Sequence, residues 1–261
     1  MIDFHTHIFP EKIAASAIAS LEKTCKTKAD TNGMIDGLAR SQKEARIDVS
    51  VILPVVTAPK QFDSINRFAA RFLQGEQISF GGIHPDCTDI DEKLKFIKSC
   101  GFAGIKLHPD YQGVDFNDIR YKRIIACASS LDLIVVTHAG VDPLCPDHVH
   151  CTPAMALDII EDVRPTKLVL AHLGGNDMAD EVEKILIGAP VYLDTAVILR
   201  KIDQKQFLRI IRNHGTDKVL FATDSPWSSQ KLDAEYFRSL PLTEQEKSAI
   251  GHENAAKLLH L

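Results

Sequence analysis

The sequence lacks the features typical of a membrane-spanning, nucleic-acid-binding or secreted protein. Its longest apolar stretch runs from Val51 to Val56 and contains Pro54, so no membrane span fits. There are 30 basic and 35 acidic residues, and the net charge of −5 argues against nucleic acid or an anionic membrane as a partner. The first residues lack a basic segment followed by an apolar one, which predicts a cytoplasmic protein.

Paired cysteines are also lacking. The chain has six cysteines, and no two of them form a Cys-x-x-Cys pair. This spacing predicts free thiols rather than a disulfide framework. Cys145 and Cys151 bracket a Pro-Asp-His-Val-His segment, which leaves two interpretations open: a surface loop, which is favoured, or a metal or disulfide site.

Short apolar runs alternate with longer stretches of helical periodicity. The runs predict eight strands, at Ile2–His7, Val49–Pro54, Ser79–His84, Ala103–His108, Leu133–His138, Lys167–His172, Val191–Thr195 and Lys218–Asp224. Every interval between strand ends holds one crossover helix, and the first is long enough for two. No Gly-x-Gly-x-x-Gly or Walker motif supports the alternative, a doubly wound sheet. The 261 residues therefore predict an α/β fold, a (β/α)₈ TIM barrel in one domain over 1–261.

Helical periodicity predicts an extra helix after strand 1 and a C-terminal closing helix in addition to those between strands. The predicted helices are Glu11–Thr24, Met34–Ala45, Phe62–Gln74, Ile90–Ser99, Asn117–Ser130, Ala154–Glu161, Met178–Ile187, Gln204–Asn213 and Glu244–Leu259. Asp177, Asp203 and Thr243 stand where N-caps belong, and Pro153 suits a first helical turn.

Residues suited to metal binding or proton transfer end most of the predicted strands. They are His7, His84, His108, His138, His172, Asp194 and Asp224. In a (β/α)₈ barrel the carboxyl ends of the strands form the catalytic face, so these side chains are expected to converge. Eleven histidines placed at random would not put five at strand ends.

His5 and His7 stand two residues apart on the first strand and therefore face the same side. Two buried imidazoles at one point indicate a divalent metal. Asp224 ends an apolar strand, where a buried carboxylate needs a cation; the alternative is a helix N-cap before Ser225. His138 and His172 each suit a metal ligand or a general acid/base.

Lys106 and His108 form a second pair of this kind on the fourth strand. An inward lysine is costly unless it is paired or modified. Lys106 therefore suits either an anionic group of a substrate or a carbamate that bridges two metals. His84 has two interpretations, a pocket-lining residue or a partner of the backbone.

These residues lie in segments that resemble the metal-dependent amidohydrolase superfamily, most of all its amidohydrolase-2 branch with aminocarboxymuconate-semialdehyde decarboxylase. The segments are DFHTH (3–7), GFAGIKLHP (101–109), VTHAG (136–140), LAHLGG (170–175), FATDSPW (221–227) and HENAAKLL (252–259). They occur in the family's order across the whole chain.

The resemblance implies a role for each matching residue. It implies His5, His7, His138 and Asp224 as metal ligands. Asp224 would also accept a proton, and His172 would act as a general acid/base. Lys106, His108, His84 and Trp227 are the expected substrate-binding residues.

The resemblance implies one divalent metal, with zinc expected. A second metal, bridged by carboxylated Lys106, is the less favoured alternative. The expected partner is a small-molecule substrate, with no nucleic acid and no membrane, and a homo-oligomer is left open.

The favoured function is a zinc hydrolase that uses metal-activated water on a small, anionic amide, lactone or ester. The first alternative is a non-oxidative decarboxylase or C–C lyase of an unsaturated or aromatic carboxylic acid at the same site. The second is an inactive barrel that only binds a ligand.

Overall fold

Strands and helices alternate along the chain in the predicted order. The computed structural model describes residues 1–261. The strands are β1 Ile2–Thr6, β2 Val49–Ile52, β3 Gln77–Ser79, β4 Gly81–Gly82, β5 Gly104–Leu107, β6 Ile134–Thr137, β7 Leu168–Leu170, β8 Tyr192–Asp194 and β9 Val219–Leu220. The α-helices are α1 Glu11–Cys25, α2 Ile35–Ala45, α3 Phe62–Ala69, α4 Ile90–Ser99, α5 Pro109–Gln112, α6 Ile119–Ser130, α7 Pro153–Val163, α8 Ala179–Ile185, α9 Gln204–His214, α10 Gln230–Ser239, α11 Glu244–Ser248 and α12 Asn254–Leu259. None of these helices meets the length and hydropathy that a membrane crossing requires.

The chain divides into two compact units, and the first contains both chain ends. It comprises Met1–Leu53, Gln74–Ile78 and Asp194–Leu261. β1 pairs with β2 in parallel, and β3 follows β2 in the same sheet. The segment after β9 lies along the other side of β1, because Phe4 N–H donates to Phe221 O (2.9 Å) and Asp224 N–H donates to His5 O (2.8 Å).

The second unit comprises Pro54–Leu73 and Ser79–Leu193. Its strands β4 to β8 pair in parallel, each with the next along the chain. This order is the one that successive βα units produce. β6 is apolar almost throughout and buried along its length, as a parallel strand covered on both faces must be.

The predicted third strand is interrupted at Phe80, so that β3 and β4 take the place of Ser79–His84. Beside β4, the Asn66 side chain replaces a strand partner. Its Nδ2 donates to Gly82 O and its Oδ1 accepts from Gly82 N–H, both at 2.9 Å. A Cβ at residue 82 would approach Val56 Cγ2 to 2.8 Å, so a glycine is required there.

Some helix boundaries differ from the prediction. The helix predicted over 62–74 ends at Ala69, because Phe72 N–H bonds back to Ala69 O in a tighter turn (3.0 Å). Asp177 is not an N-cap: α8 begins two residues later, and Asp177 adopts a positive φ of 56°. Two helices, α5 and α10, were not predicted; α5 has only four residues, too few to show a period.

Other predicted boundaries are confirmed. Asp203 accepts from Gln206 N–H (3.0 Å) at the start of α9, and Pro153 opens α7. Thr243 caps α11, which continues through a π-helical turn over 249–253 into α12. The closing helix therefore spans the predicted 244–259. The six cysteines are free thiols, as their spacing predicts.

Candidate metal centre and active site

Three predicted metal ligands meet in the first unit. The nearest ring nitrogens of His5 and His7, both Nε2, lie 3.1 Å apart. Asp224 Oδ1 lies 3.0 Å from His7 Nε2 and 3.5 Å from His5 Nε2. Two imidazoles and one carboxylate that offer their donor atoms to one point form a set that suits zinc and other divalent transition metals.

The far side of each imidazole is hydrogen-bonded, which fixes the nitrogen that faces this point. His5 Nδ1 lies 2.9 Å from Asp194 Oδ2, and both side chains are buried. His7 Nδ1 lies 2.7 Å from Leu53 O. Because a carboxylate and a carbonyl can only accept, the neutral form of each ring has its proton on Nδ1 and a lone pair on Nε2. The three residues therefore fit a divalent metal.

Asp224 occupies an unusual backbone position. Its φ is +70°, in the left-handed region that a non-glycine residue adopts at an energetic cost. Its N–H bonds to His5 O, which joins the Asp224 backbone directly to that of a second ligand. Strain of this kind persists only where the surroundings impose it, and it is common at functional sites.

Asp3 supplies part of that surrounding. Its carboxylate accepts from Thr223 Oγ1 (2.6 Å), Thr223 N–H (3.0 Å) and Gln230 Nε2 (2.8 Å). It also accepts from His5 N–H at 3.3 Å. Burial is the largest influence on Asp3 and raises the pKa of its carboxyl group to about 7. Asp3 thus clamps the residue before Asp224 to the strand that carries His5 and His7.

Three predicted site histidines meet in the second unit. His172 Nε2 lies 3.0 Å from His138 Nδ1. The His138 ring stacks on that of His108, with centroids 4.4 Å apart and planes 9° apart. His172 has a φ of +58° in the turn after β7 and is buried, as are the other two. This arrangement can pass a proton between neighbouring imidazoles.

Gln112, which the sequence analysis missed, holds the backbone beside these histidines. It donates to Val56 O and Ile83 O, both at 2.8 Å, and accepts from His108 N–H (3.2 Å) and Tyr121 Oη (2.7 Å). These four bonds use the donors and acceptors of its amide fully. A glutamine in a four-residue helix gives no sequence signal for this role.

Two buried carboxylates near His138 were also missed. Asp142 Oδ2 lies 3.7 Å from His108 Nε2 and 3.9 Å from His138 Nε2. Asp110 Oδ2 lies 3.7 Å from His138 Nε2. Asp142 lies in the loop after β6 and Asp110 in the first turn of α5, so neither residue ends a predicted strand.

The structure also locates the other predicted site residues. Lys106 is 1% exposed on β5, so its burial is confirmed. His84 Nδ1 accepts from Asp86 N–H (3.1 Å), and burial lowers the pKa of its imidazole, which favours the neutral ring. Trp227 is half-buried, and its backbone N–H donates to Asp224 O (2.8 Å). The substrate contacts of these residues stay predictions.

The fold is that of a TIM barrel. A TIM-barrel protein from Bordetella bronchiseptica superposes on this chain with a TM-score of 0.79 at 15% identity, over 100% of this chain and 98% of the other. A 2,6-dihydroxybenzoate decarboxylase from Rhizobium has a TM-score of 0.77 at 16% identity, over 99% and 98%. A dihydroxybenzoic acid decarboxylase from Polaromonas, with bound manganese and 2-nitroresorcinol, has a TM-score of 0.74 at 16% identity, over 100% and 96%.

The fold and donor set define the class, a metal-dependent TIM-barrel enzyme of the amidohydrolase superfamily. The Amidohydro_2 amidohydrolase family model matches residues 2–261, and the chain belongs to that family. A comparison with curated proteins gives no significant match. The resemblance found in the sequence motifs is confirmed.

Proposed function

We propose that this protein is a metal-dependent, non-oxidative decarboxylase of a small aromatic or unsaturated carboxylic acid. The observation that carries the proposal is the full-length likeness to dihydroxybenzoate decarboxylases within the same family. This likeness favours the lyase, which was the first alternative in the sequence, over the hydrolase. The hydrolase is supported only at the level of the superfamily.

The proposed ligands are His5, His7 and Asp224, with His138 as the fourth, as the sequence motifs imply. Imidazole and carboxylate ligands together suit both zinc and manganese. The proposed metal is therefore a divalent transition metal and not zinc alone. When bound, the metal supplies a Lewis acid that binds and neutralises oxygen atoms of the substrate.

His172 is the proposed proton donor. Decarboxylation requires a proton on the carbon that bears the carboxylate, and the C–C bond then breaks. The electron pair of that bond stays on the carbon skeleton and restores its double bond, and the carboxylate leaves as CO₂. The His138 ring beside His172 (Nδ1 to Nε2, 3.0 Å) supports a hydrogen bond that orients the His172 imidazole, which then regains its proton from solvent.

Lys106 and His108 are the proposed substrate-binding residues. A buried ammonium group attracts a carboxylate, and the nitrogen-bearing edge of an imidazole can hydrogen-bond a substrate oxygen. The His108 ring lies between Tyr111 (centroids 3.9 Å apart) and His138 (4.4 Å), which holds its plane in place. An anionic substrate fits these two groups better than a neutral amide does.

A substrate panel tests the proposal. Metal-loaded protein is incubated with hydroxybenzoates, enoic acids, lactones and amides, and both CO₂ and hydrolysis products are measured. We expect CO₂ from an aromatic or enoic acid and no hydrolysis. Hydrolysis of a lactone or amide without CO₂ release would restore the hydrolase, which the same three ligands also suit.

A further inference from the structure

A second group of metal-binding side chains lies in the second unit, apart from His5, His7 and Asp224. The loop between β6 and α7, residues 138–152, carries Cys145 and His150. Asp110 faces them from the first turn of α5. One ligand atom from each of these three residues lies within 4.8 Å of the other two. Ligands of a tetrahedral zinc ion lie roughly 3.3–3.8 Å apart, so small movements would bring these atoms into place.

Asp110 is the unusual member of this group. It is only 4% exposed, and its Oδ2 has no hydrogen-bond donor, with His138 Nε2 as a neighbour at 3.7 Å. Its Oδ1 accepts from His150 N–H (3.4 Å) and lies 3.2 Å from His150 Nδ1. A buried carboxylate oxygen without a donor is costly unless a cation compensates it.

The loop backbone brings Cys145 and His150 to Asp110. Cys145 N–H bonds to Asp142 O (3.0 Å) and His148 N–H bonds to Cys145 O (3.2 Å), which makes two successive turns. Phe116 N–H donates to His150 O at 2.7 Å. Cys145 Sγ lies 3.7 Å from Asp110 O. Main-chain hydrogen bonds of the loop therefore hold Cys145 and His150 beside Asp110.

We propose that Asp110, Cys145 and His150 bind a divalent, thiophilic cation, namely zinc, with water in the fourth position. A thiolate, an imidazole and a carboxylate together bind zinc in preference to magnesium or calcium. The ion would tie the loop that carries Asp142 to α5, and so would fix the flank of the His108–His138 pair. It would be a site distinct from the metal centre of the proposed decarboxylase.

Cobalt substitution tests this site without reference to activity. Thiolate-to-cobalt charge transfer absorbs in the near ultraviolet and requires a cysteine ligand. The centre at His5, His7 and Asp224 has no thiol and gives no such band. We expect the band in wild-type protein and in His7→Ala, and its loss in Cys145→Ser and His150→Ala.

Cys127→Ser is the matched control, because it removes a half-buried thiol from α6 in the same unit. It should keep the band. Thermal unfolding with and without zinc gives a second readout: zinc should raise the melting temperature of His7→Ala but not of the His7→Ala, Cys145→Ser double variant. A band that is absent from folded wild-type protein at saturating cobalt, or that survives in Cys145→Ser, overturns the proposal.

Discussion

At the scale of single residues, the metal centre depends on which nitrogen each imidazole presents. His5 and His7 both use Nδ1 for a hydrogen bond to an acceptor, and both therefore offer Nε2. For His5 that acceptor is the buried carboxylate of Asp194. Asp194 would thus raise the basicity of His5, a proposed metal ligand, and hold its ring in place.

Asp194→Asn should weaken metal binding about 10–100-fold, because the amide removes the negative charge behind His5. Competition against a chelator measures the affinity. Asp203→Asn, at the exposed N-cap of α9 in the same unit, is the control and should leave it unchanged. Equal affinities in all three proteins would show that Asp194 has no part in ligand orientation.

At the scale of elements, short segments hold the strand ends in place. α5 has only four residues, yet its Gln112 ties together backbone atoms of Val56, Ile83 and His108. The loop after β9 is held through Asp3 in a similar way. In both places a buried polar side chain, rather than apolar packing, sets the backbone near a site residue.

Gln112→Leu should lower the free energy of unfolding by several kcal/mol. It leaves two buried carbonyls and one buried N–H without partners, at about 1–3 kcal/mol each. Tyr121→Phe removes one of the four bonds and should cost about 1 kcal/mol. Urea denaturation measures both, and similar losses for the two variants would contradict the assigned role of Gln112.

The start of α11 gives a prediction on pH. Arg212, followed by the backbone N–H of Thr243, holds the pKa of Glu246 at about 2, below its ordinary 4.5. A lowered pKa in the folded state stabilises the protein above pH 4.5, and this contribution disappears as the pH falls towards about 2. Glu246→Gln should therefore be less stable than wild type at neutral pH, by about 0.2–1 kcal/mol, because the glutamine still accepts from Thr243 N–H but loses the ion pair with Arg212.

The difference between the two proteins should shrink between pH 4.5 and about 2 when unfolding is followed by urea. Glu244→Gln removes a fully exposed charge from the same turn and serves as the control. A constant difference between wild type and Glu246→Gln across this range would show that the ionised form of Glu246 does not contribute.

The sequence predicts the candidate site residues more readily than the residues that support them. Strand ends are visible as apolar runs that stop at a polar residue, and this located His5, His7, His138, His172 and Asp224. Asp110, Asp142 and Gln112 lie in loops or in a helix too short to show a period. Their partners are far away along the chain, so only tertiary contacts reveal them.

At the scale of the whole molecule, an eight-stranded pattern and the family motifs agree on a TIM barrel of the Amidohydro_2 family. The barrel positions polar residues after successive strands and does not by itself select a reaction. Decarboxylation and hydrolysis are therefore distinguished by the products formed and by the effect of replacing His172, the proposed proton donor.

The most direct measurement follows ¹³CO₂ release from a carboxyl-labelled hydroxybenzoate or enoic acid as metal is restored to chelated protein. We predict that release rises with added metal and falls about 10²–10⁴-fold in His172→Ala, which retains its metal. The exposed His252→Ala control should match wild type. Equal ¹³CO₂ release from metal-free and metal-loaded protein would contradict the account. So would a result in which the ¹³C label stays in the carboxylic acid while lactones or amides are hydrolysed.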